Sequence, residues 1–268
     1  MMPTYNMEDY EKTYHAFRYE IPEYFNFAGD VIDKWAQDRD RLAMWWMDDA
    51  GHEVKQTFHD VSLASRRLAN ALAARGVRQG DMVLLILPRS IAWWVAVTAC
   101  IRMGAVVCPG TTQLTPKDLA FRANKSEATC ILANPEVAEK FDKVADECPS
   151  VTARIVIGQP RDGWLLCEEI VSAASDVFET ARTRSRDGCI VYFSSGATGF
   201  PKMALHTHAS YPMGHLTTGK YWLDLREGDL HWNISDTGWA KAAWSSYFGP
   251  WICGTAQFIH HSDRFDPI

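Results

Sequence analysis

Short apolar runs alternate with longer stretches of three-to-four-residue periodicity along most of this 268-residue chain. Met82–Leu87 is apolar throughout, the pattern of a strand covered on both faces, and Pro88 ends it. Ala105–Cys108, Thr129–Ala133, Arg154–Gly158 and Cys189–Phe193 read the same way. Helices are predicted between them. One is capped by Asp60 and ends at Gly76, with Val61, Ala64, Leu68, Ala71 and Leu72 on its apolar face. A second runs over Ile91–Met103, capped by Ser90 and stopped by Gly104. Thr115-Pro116 is a cap followed by an N1 proline, giving Thr115–Lys125, and Pro135–Cys148 follows. Strands and helices alternating at this spacing predict parallel β-α-β units, hence an α/β fold whose ligands gather at the carboxyl ends of the strands.

Outside this block the pattern is weaker. Residues 1–27 carry five tyrosines without periodicity and read as an extended surface arm. Ala28–Asp38 reads as a helix, Leu42–Met47 and Val54–Phe58 as two strands, and Trp164–Ser175 as a short helix. Residues 176–187 are polar and look like a linker between sub-parts 1–175 and 188–268. Beyond it, Met203–His206, Leu230–Ile234 and Thr255–His260 read as strands, and Ala209–Trp222 and Gly238–Phe248 as helices. The chain closes on Asp266-Pro267, a helix start with one residue after it, which implies a polypeptide cut short.

The chemistry concentrates after Cys189–Phe193, where Ser194-Ser195-Gly196-Ala197-Thr198-Gly199-Phe200-Pro201-Lys202 follows directly. Glycines let backbone approach a ligand closely, successive N–H groups form a concavity for anions, and Lys202 adds a point charge suited to phosphate. The alternative is a plain hairpin turn with Lys202 solvated. A Walker A loop is excluded, because two residues rather than four separate Gly196 from Gly199 and Met203 follows the lysine.

This loop, Tyr-Phe-Ser-Ser-Gly-Ala-Thr-Gly-Phe-Pro-Lys, resembles the phosphate-binding loop of the adenylate-forming superfamily. Leu87-Pro88-Arg89 with Trp93-Trp94, Cys108-Pro109-Gly110-Thr111 with Gln113, and Ser235-Asp236-Thr237-Gly238-Trp239 together resemble the acyl-CoA synthetases of medium-chain type. The likeness extends over residues 25–268. It implies a partial N-terminal adenylation domain of stacked, mostly parallel sheets with helices between and around them. It implies ATP-dependent activation of a small carboxylic acid to an acyl-adenylate, then a CoA thioester, with ATP, Mg2+ and CoA used by the complete enzyme. By position, Ser194 to Lys202 would contact ATP, Lys202 would be catalytic, Gln113 would contact CoA and Trp239 would shape the acyl pocket. Ala197 stands where threonine is usual and removes one donor. Trp239 could equally be a core tryptophan, and Gln113 a loop glutamine. The Tyr-Gly-x-Thr-Glu segment, the ribose-binding aspartate, the magnesium-holding glutamate and the C-terminal domain of such enzymes are not in these residues, which implies little activity from this chain alone. A non-catalytic nucleotide- or acyl-binding module is the rival reading.

Composition narrows the partners. Lys plus Arg is 27 and Asp plus Glu 33, net −6, with no basic cluster, which argues against nucleic acid. Seven cysteines at an odd count and without metal-ligand spacing read as free buried thiols. His206 and His208 would face opposite sides of a strand, a poor chelate, so no metal site is expected; Asp236 reads as structural. The longest apolar stretch, Ile91–Ile101, is half a membrane span. Glu8, Asp9, Glu11 and Glu20 argue against a transit peptide, so a cytoplasmic protein is expected.

Overall fold

The computed structural model describes residues 5–194 and 201–262. Among them are strands β1 (Leu42–Asp48), β2 (Glu53–Thr57), β3 (Met82–Ile86), β4 (Val106–Pro109), β5 (Cys130–Ala133), β6 (Ala153–Val156), β7 (Leu165–Leu166), β8 (Gly188–Ser194), β9 (Lys202–Thr207), β10 (Leu230–Trp232) and β11 (Ala256–His261). They form a seven-stranded sheet in the order β7-β6-β5-β3-β4-β8-β9 and a four-stranded sheet in the order β10-β11-β1-β2. The larger sheet is parallel from β7 to β8, and β9 closes it antiparallel. In the smaller, β11 lies parallel to both β1 and β10, while β2 folds back on β1.

The apolar runs are buried on both faces, as their continuity requires. Val83 and Leu85 of β3 enter one core with Trp93, Phe27, Tyr247 and Trp251. Leu84 and Ile86 enter a second, on the opposite face, with Leu119, Phe141 and Trp164. The period of two along one strand therefore feeds two cores.

Helix starts follow from local capping. Asp60 is not the cap of its helix, which spans Phe58–Ala73. Thr57 is the cap and Asp60 sits in the first turn. The Asp60 N–H donates to Thr57 Oγ1 at 3.1 Å while Asp60 Oδ2 accepts from the Thr57 N–H at 2.9 Å, a reciprocal pair that satisfies two orphan donors. Thr115 and Asp118 repeat this arrangement at the start of Pro116–Ser126. Ser90 precedes Ile91–Met103 without a side-chain cap bond, whereas Gly104 ends that helix at φ 75°.

Other expectations shift. The arm contains a helix, Tyr10–Ala16, whose residues are all outside the core; Asp9 caps it, and Tyr10 and Tyr14 stack at 5.8 Å. The predicted helix 135–148 ends at Asp142, with a tight turn at Ala145–Glu147. Within 164–175, Leu165–Leu166 pairs as β7 and the helix is Cys167–Ser172. Residues 209–222 coil in wide turns around an internal Pro212, which lacks the N–H a regular helix needs.

A buried cation ties the polar stretch 176–187 to the helices of the larger sheet. Arg102, fully buried on Ile91–Met103, donates from Nη1 and Nη2 to Asp33 at 2.8 and 2.7 Å and from Nη1 to Thr180 at 2.7 Å. Its carbonyl accepts from the Ala181 N–H at 2.8 Å. Burial is the largest single influence and opposes ionisation of Asp33, but Arg102, Ser62 and Arg66 together outweigh it and hold the carboxyl below its usual range.

Candidate functional site

Parallel strands β3, β4 and β8 send their carboxyl ends to one edge of the larger sheet, where an open α/β sheet collects ligands. Connections 87–90 and 110–115 leave there, and β8 ends there at Ser194. The chain 234–239 is fastened across the first two. Arg89 Nη1 donates to the Ile234 carbonyl at 2.7 Å, and Thr237 Oγ1 to the Leu87 carbonyl at 2.6 Å. Gly238 then lies directly against the 110–111 backbone: a Cβ there would sit 2.0 Å from the Thr111 nitrogen and 2.3 Å from the Gly110 carbonyl carbon. Only a residue without a side chain allows that approach.

Asp236 locks the turn, as its structural reading requires. Its Oδ1 accepts from the Gly238 N–H at 2.8 Å and its Oδ2 from Thr111 Oγ1 at 3.5 Å. The result is a cavity of about 380 Å³ lined by Thr111, Gln113, Ser235, Asp236, Trp239 and Lys241. Gln113 and Trp239, 126 residues apart in number, thus share one cavity. Trp239 is 66 % exposed and not a core residue. Lys241 was missed by the sequence reading. It is the only charged residue between Gly238 and Phe248, which is the signal that could have found it.

Ser194 ends β8 and Lys202 opens β9; the two are paired across the ladder, and Ser194 Oγ donates to the Lys202 carbonyl at 3.4 Å. Lys202 is exposed and Pro201 partly buried. Ser195, Gly196, Ala197, Thr198, Gly199 and Phe200 lie outside the described residues.

The histidines form packing rather than chelating geometry. His206 packs on Tyr211 at 4.6 Å, and His215 sits between Tyr211 at 4.4 Å and Trp244 at 5.5 Å. His208 is buried with neither ring nitrogen bonded. Among the described residues no group of three or more His, Cys, Asp or Glu could hold a metal ion. The cysteines are free, and burial pushes the Cys100 and Cys108 thiols up to about 12, the inert form.

Burial also lowers His208 and His215 to about 4, Asp187 opposing the shift in the first and His206 reinforcing it in the second. Free imidazoles titrate near 6.5, so between about 6.5 and 4 the unfolded chain binds more protons. Stability is therefore complete above that window and is lost as pH falls through it. The expected result is a Tm that declines from pH 6.5 to 4.5 and a shallower decline in His208→Phe; a flat wild-type profile would contradict the buried neutral rings.

The sequence pattern of the AMP-binding enzymes matches residues 32–268. The chain is 43% identical over 271 residues to acyl-coenzyme A synthetase ACSM3, mitochondrial, of Pongo abelii, covering 98% of this chain and 46% of the relative. It is 42% identical over 254 residues to the mitochondrial ACSM4 synthetase of Homo sapiens, covering 92% and 44%. An acyl-CoA synthetase structure from Brucella canis superposes with a TM-score of 0.84 at 24% identity over 96% of this chain and 47% of that one, a likeness of fold. The chain spans about half the length of the curated relatives it matches. The mitochondrial names overturn the expectation of a cytoplasmic protein. Acidic residues at positions 8–20 describe those residues alone and carry no information on the compartment. No helix among the described residues is long and apolar enough to cross a membrane. With its fold and most of its length matched, the chain belongs to the AMP-binding enzyme family.

Proposed function

We propose that these residues form the N-terminal adenylation part of an ATP-dependent acid–CoA ligase, in sub-parts 1–175 and 188–268 joined by 176–187. A carboxylate oxygen attacks the α-phosphorus of ATP and pyrophosphate leaves; the CoA sulfur then attacks the acyl carbon and AMP leaves. The observation that carries the reading is that β4 and β8 are parallel neighbours, so the Thr111–Gln113 turn and the Ser194 end leave the same sheet edge, with Lys202 paired to Ser194. The hydroxyl- and glycine-rich stretch Ser194–Lys202 would grip the triphosphate, with Lys202 countering the charge that builds on departing pyrophosphate. Trp239 would bound the acyl chain and Gln113 would meet CoA.

Magnesium would screen the phosphates in the whole enzyme. Among the described residues no group of three or more His, Cys, Asp or Glu could hold a metal ion, and no step here runs through it. The relatives' names support a mitochondrial compartment.

The test is acid-dependent exchange of pyrophosphate into ATP. Lys202→Met in the full-length protein should lower exchange about 100-fold, in line with loss of one preorganised charge. Exchange unchanged by that substitution would remove the phosphate role. A tight ATP complex with no exchange by the full-length protein would favour a binding module.

A further inference from the structure

Trp239 is exposed, so packing does not fix it, and its place follows from the backbone on either side. On one side Thr237 is bonded to the Leu87 carbonyl. On the other, the Ala240 carbonyl accepts from the Tyr211 hydroxyl at 2.6 Å. The same oxygen accepts from the Trp244 N–H and so closes the first turn of Ala240–Ala243, which Trp239 precedes. Tyr211 is buried, and burial pushes its phenol up, so it remains a donor.

The ring of Tyr211 belongs to the other half of the site. It packs on His206 of β9 at 4.6 Å and lies beside Tyr192 of β8 at 6.0 Å. The period of two puts His206 and Lys202 on one face of β9, and their ladder neighbours Tyr192 and Ser194 share that face on β8. Two reciprocal bonds fix the exit from β9 toward Tyr211. The Thr207 N–H donates to Ser210 Oγ at 2.8 Å, and the Ser210 N–H to Thr207 Oγ1 at 3.0 Å. One side chain therefore rests on both strands that carry Ser194 and Lys202, and its hydroxyl holds the turn that carries Trp239.

We propose that Tyr211 is a positioning residue for acid binding, its hydroxyl setting where Trp239 stands relative to the Ser194–Lys202 end of β8 and β9. This rests on the ligase reading above and deepens it. The acid's carboxylate must meet the nucleotide while its tail meets Trp239, so the span between the two is what a loosened Ala240 would change.

The experiment is pyrophosphate exchange by the full-length protein and its Tyr211→Phe variant, with the best acid of a set running from propionate to octanoate and including benzoate. Phenylalanine keeps the ring on His206 and Tyr192 and removes the bond to Ala240. The expected result is a KM for the acid raised at least about fivefold, with the KM for ATP within about twofold of the parent. Thr98→Val is the comparison, since it removes another buried hydroxyl bond, to Tyr247 at 2.8 Å. It should lower Tm while both KM values stay within about twofold. An acid KM unchanged in Tyr211→Phe would overturn the proposal. So would acid and ATP values that rise together, or an equal rise in Thr98→Val, because either marks a general loss of structure; in these cases the ligase reading stands. A parent protein without acid-dependent exchange across the whole set would sink the ligase reading, and this proposal with it.

Discussion

Asp33→Ala is expected to cost about 3–5 kcal/mol of folding stability, the range for stranding one member of a buried ion pair. The reason is the partner it leaves behind. Arg102 has no solvent exposure, and two of its bonds end on Asp33. Ser65 at 3.1 Å and Thr180 at 2.7 Å remain as acceptors, but neither carries a negative charge. Arg66 also loses its 3.2 Å contact with Asp33. Thermal unfolding should show the loss as a Tm lower by about 10 °C. The double variant Asp33→Ala/Arg102→Met should recover much of it, because a methionine needs no counter-charge in that core. Since the Asp33 carboxyl is held below its ordinary value, the pair's contribution is whole above about pH 4 and disappears as acid protonates the carboxylate. A single variant as stable as the parent at pH 7 would show that the pair does not anchor the segment around Thr180.

The second large effect is expected at Gly238. Gly238→Ala should lower stability by about 3 kcal/mol and, on the proposed ligase reading, abolish saturable acid binding by the full-length protein, because a methyl group there meets three main-chain atoms of the Gly110–Thr111 peptide. The contacts fall at 2.0, 2.3 and 2.6 Å on Thr111 and Gly110, atoms that have no rotamer to change. Relief comes only from separating 235–239 from 110–113, the two walls of the Trp239 cavity. Gly29→Ala is the control: its nearest neighbour is the Thr180 methyl at 3.2 Å, a contact relieved by a shift of a few tenths of an ångström, and a small change in Tm is expected. Tryptophan fluorescence titrated with acid, beside a melting curve, reads both consequences. Undiminished acid binding by Gly238→Ala would mean that the cavity tolerates the gap.

Much of the larger sheet was legible because its strands are apolar on both faces, so runs such as Met82–Leu87 stand out without any partner being known. Helix entry was legible where hydroxyl and proline coincide, as at Thr115-Pro116. Asp60 was misread as a cap because its role depends on Thr57, a residue that looks like the end of a strand and is one. The regularity of 209–222 was overestimated because the apolar spacing survives Pro212 while the hydrogen bonding does not. The site was half legible. Gln113 and Trp239 were picked by resemblance, yet their shared cavity depends on the Thr237–Leu87 bond across 150 positions, which no local pattern encodes. Arg102 reads in sequence as one charge at the end of an apolar helix; its network is visible only when Asp33, Ser65 and Thr180 arrive from elsewhere.

The smaller sheet imposes an order of events on synthesis. The parallel partner of Met44 is Gln257, so the hairpin of β1 and β2 is made long before the strand that covers its inner edge. At ribosomal speeds the interval is about 10–40 s, during which a ribbon bearing Trp45 and Trp46 offers unpaired amides to any neighbour. Nascent chains halted before Ala256 should therefore be sticky and hungry for holdase chaperones, whereas those that have cleared His261 should lose that appetite abruptly.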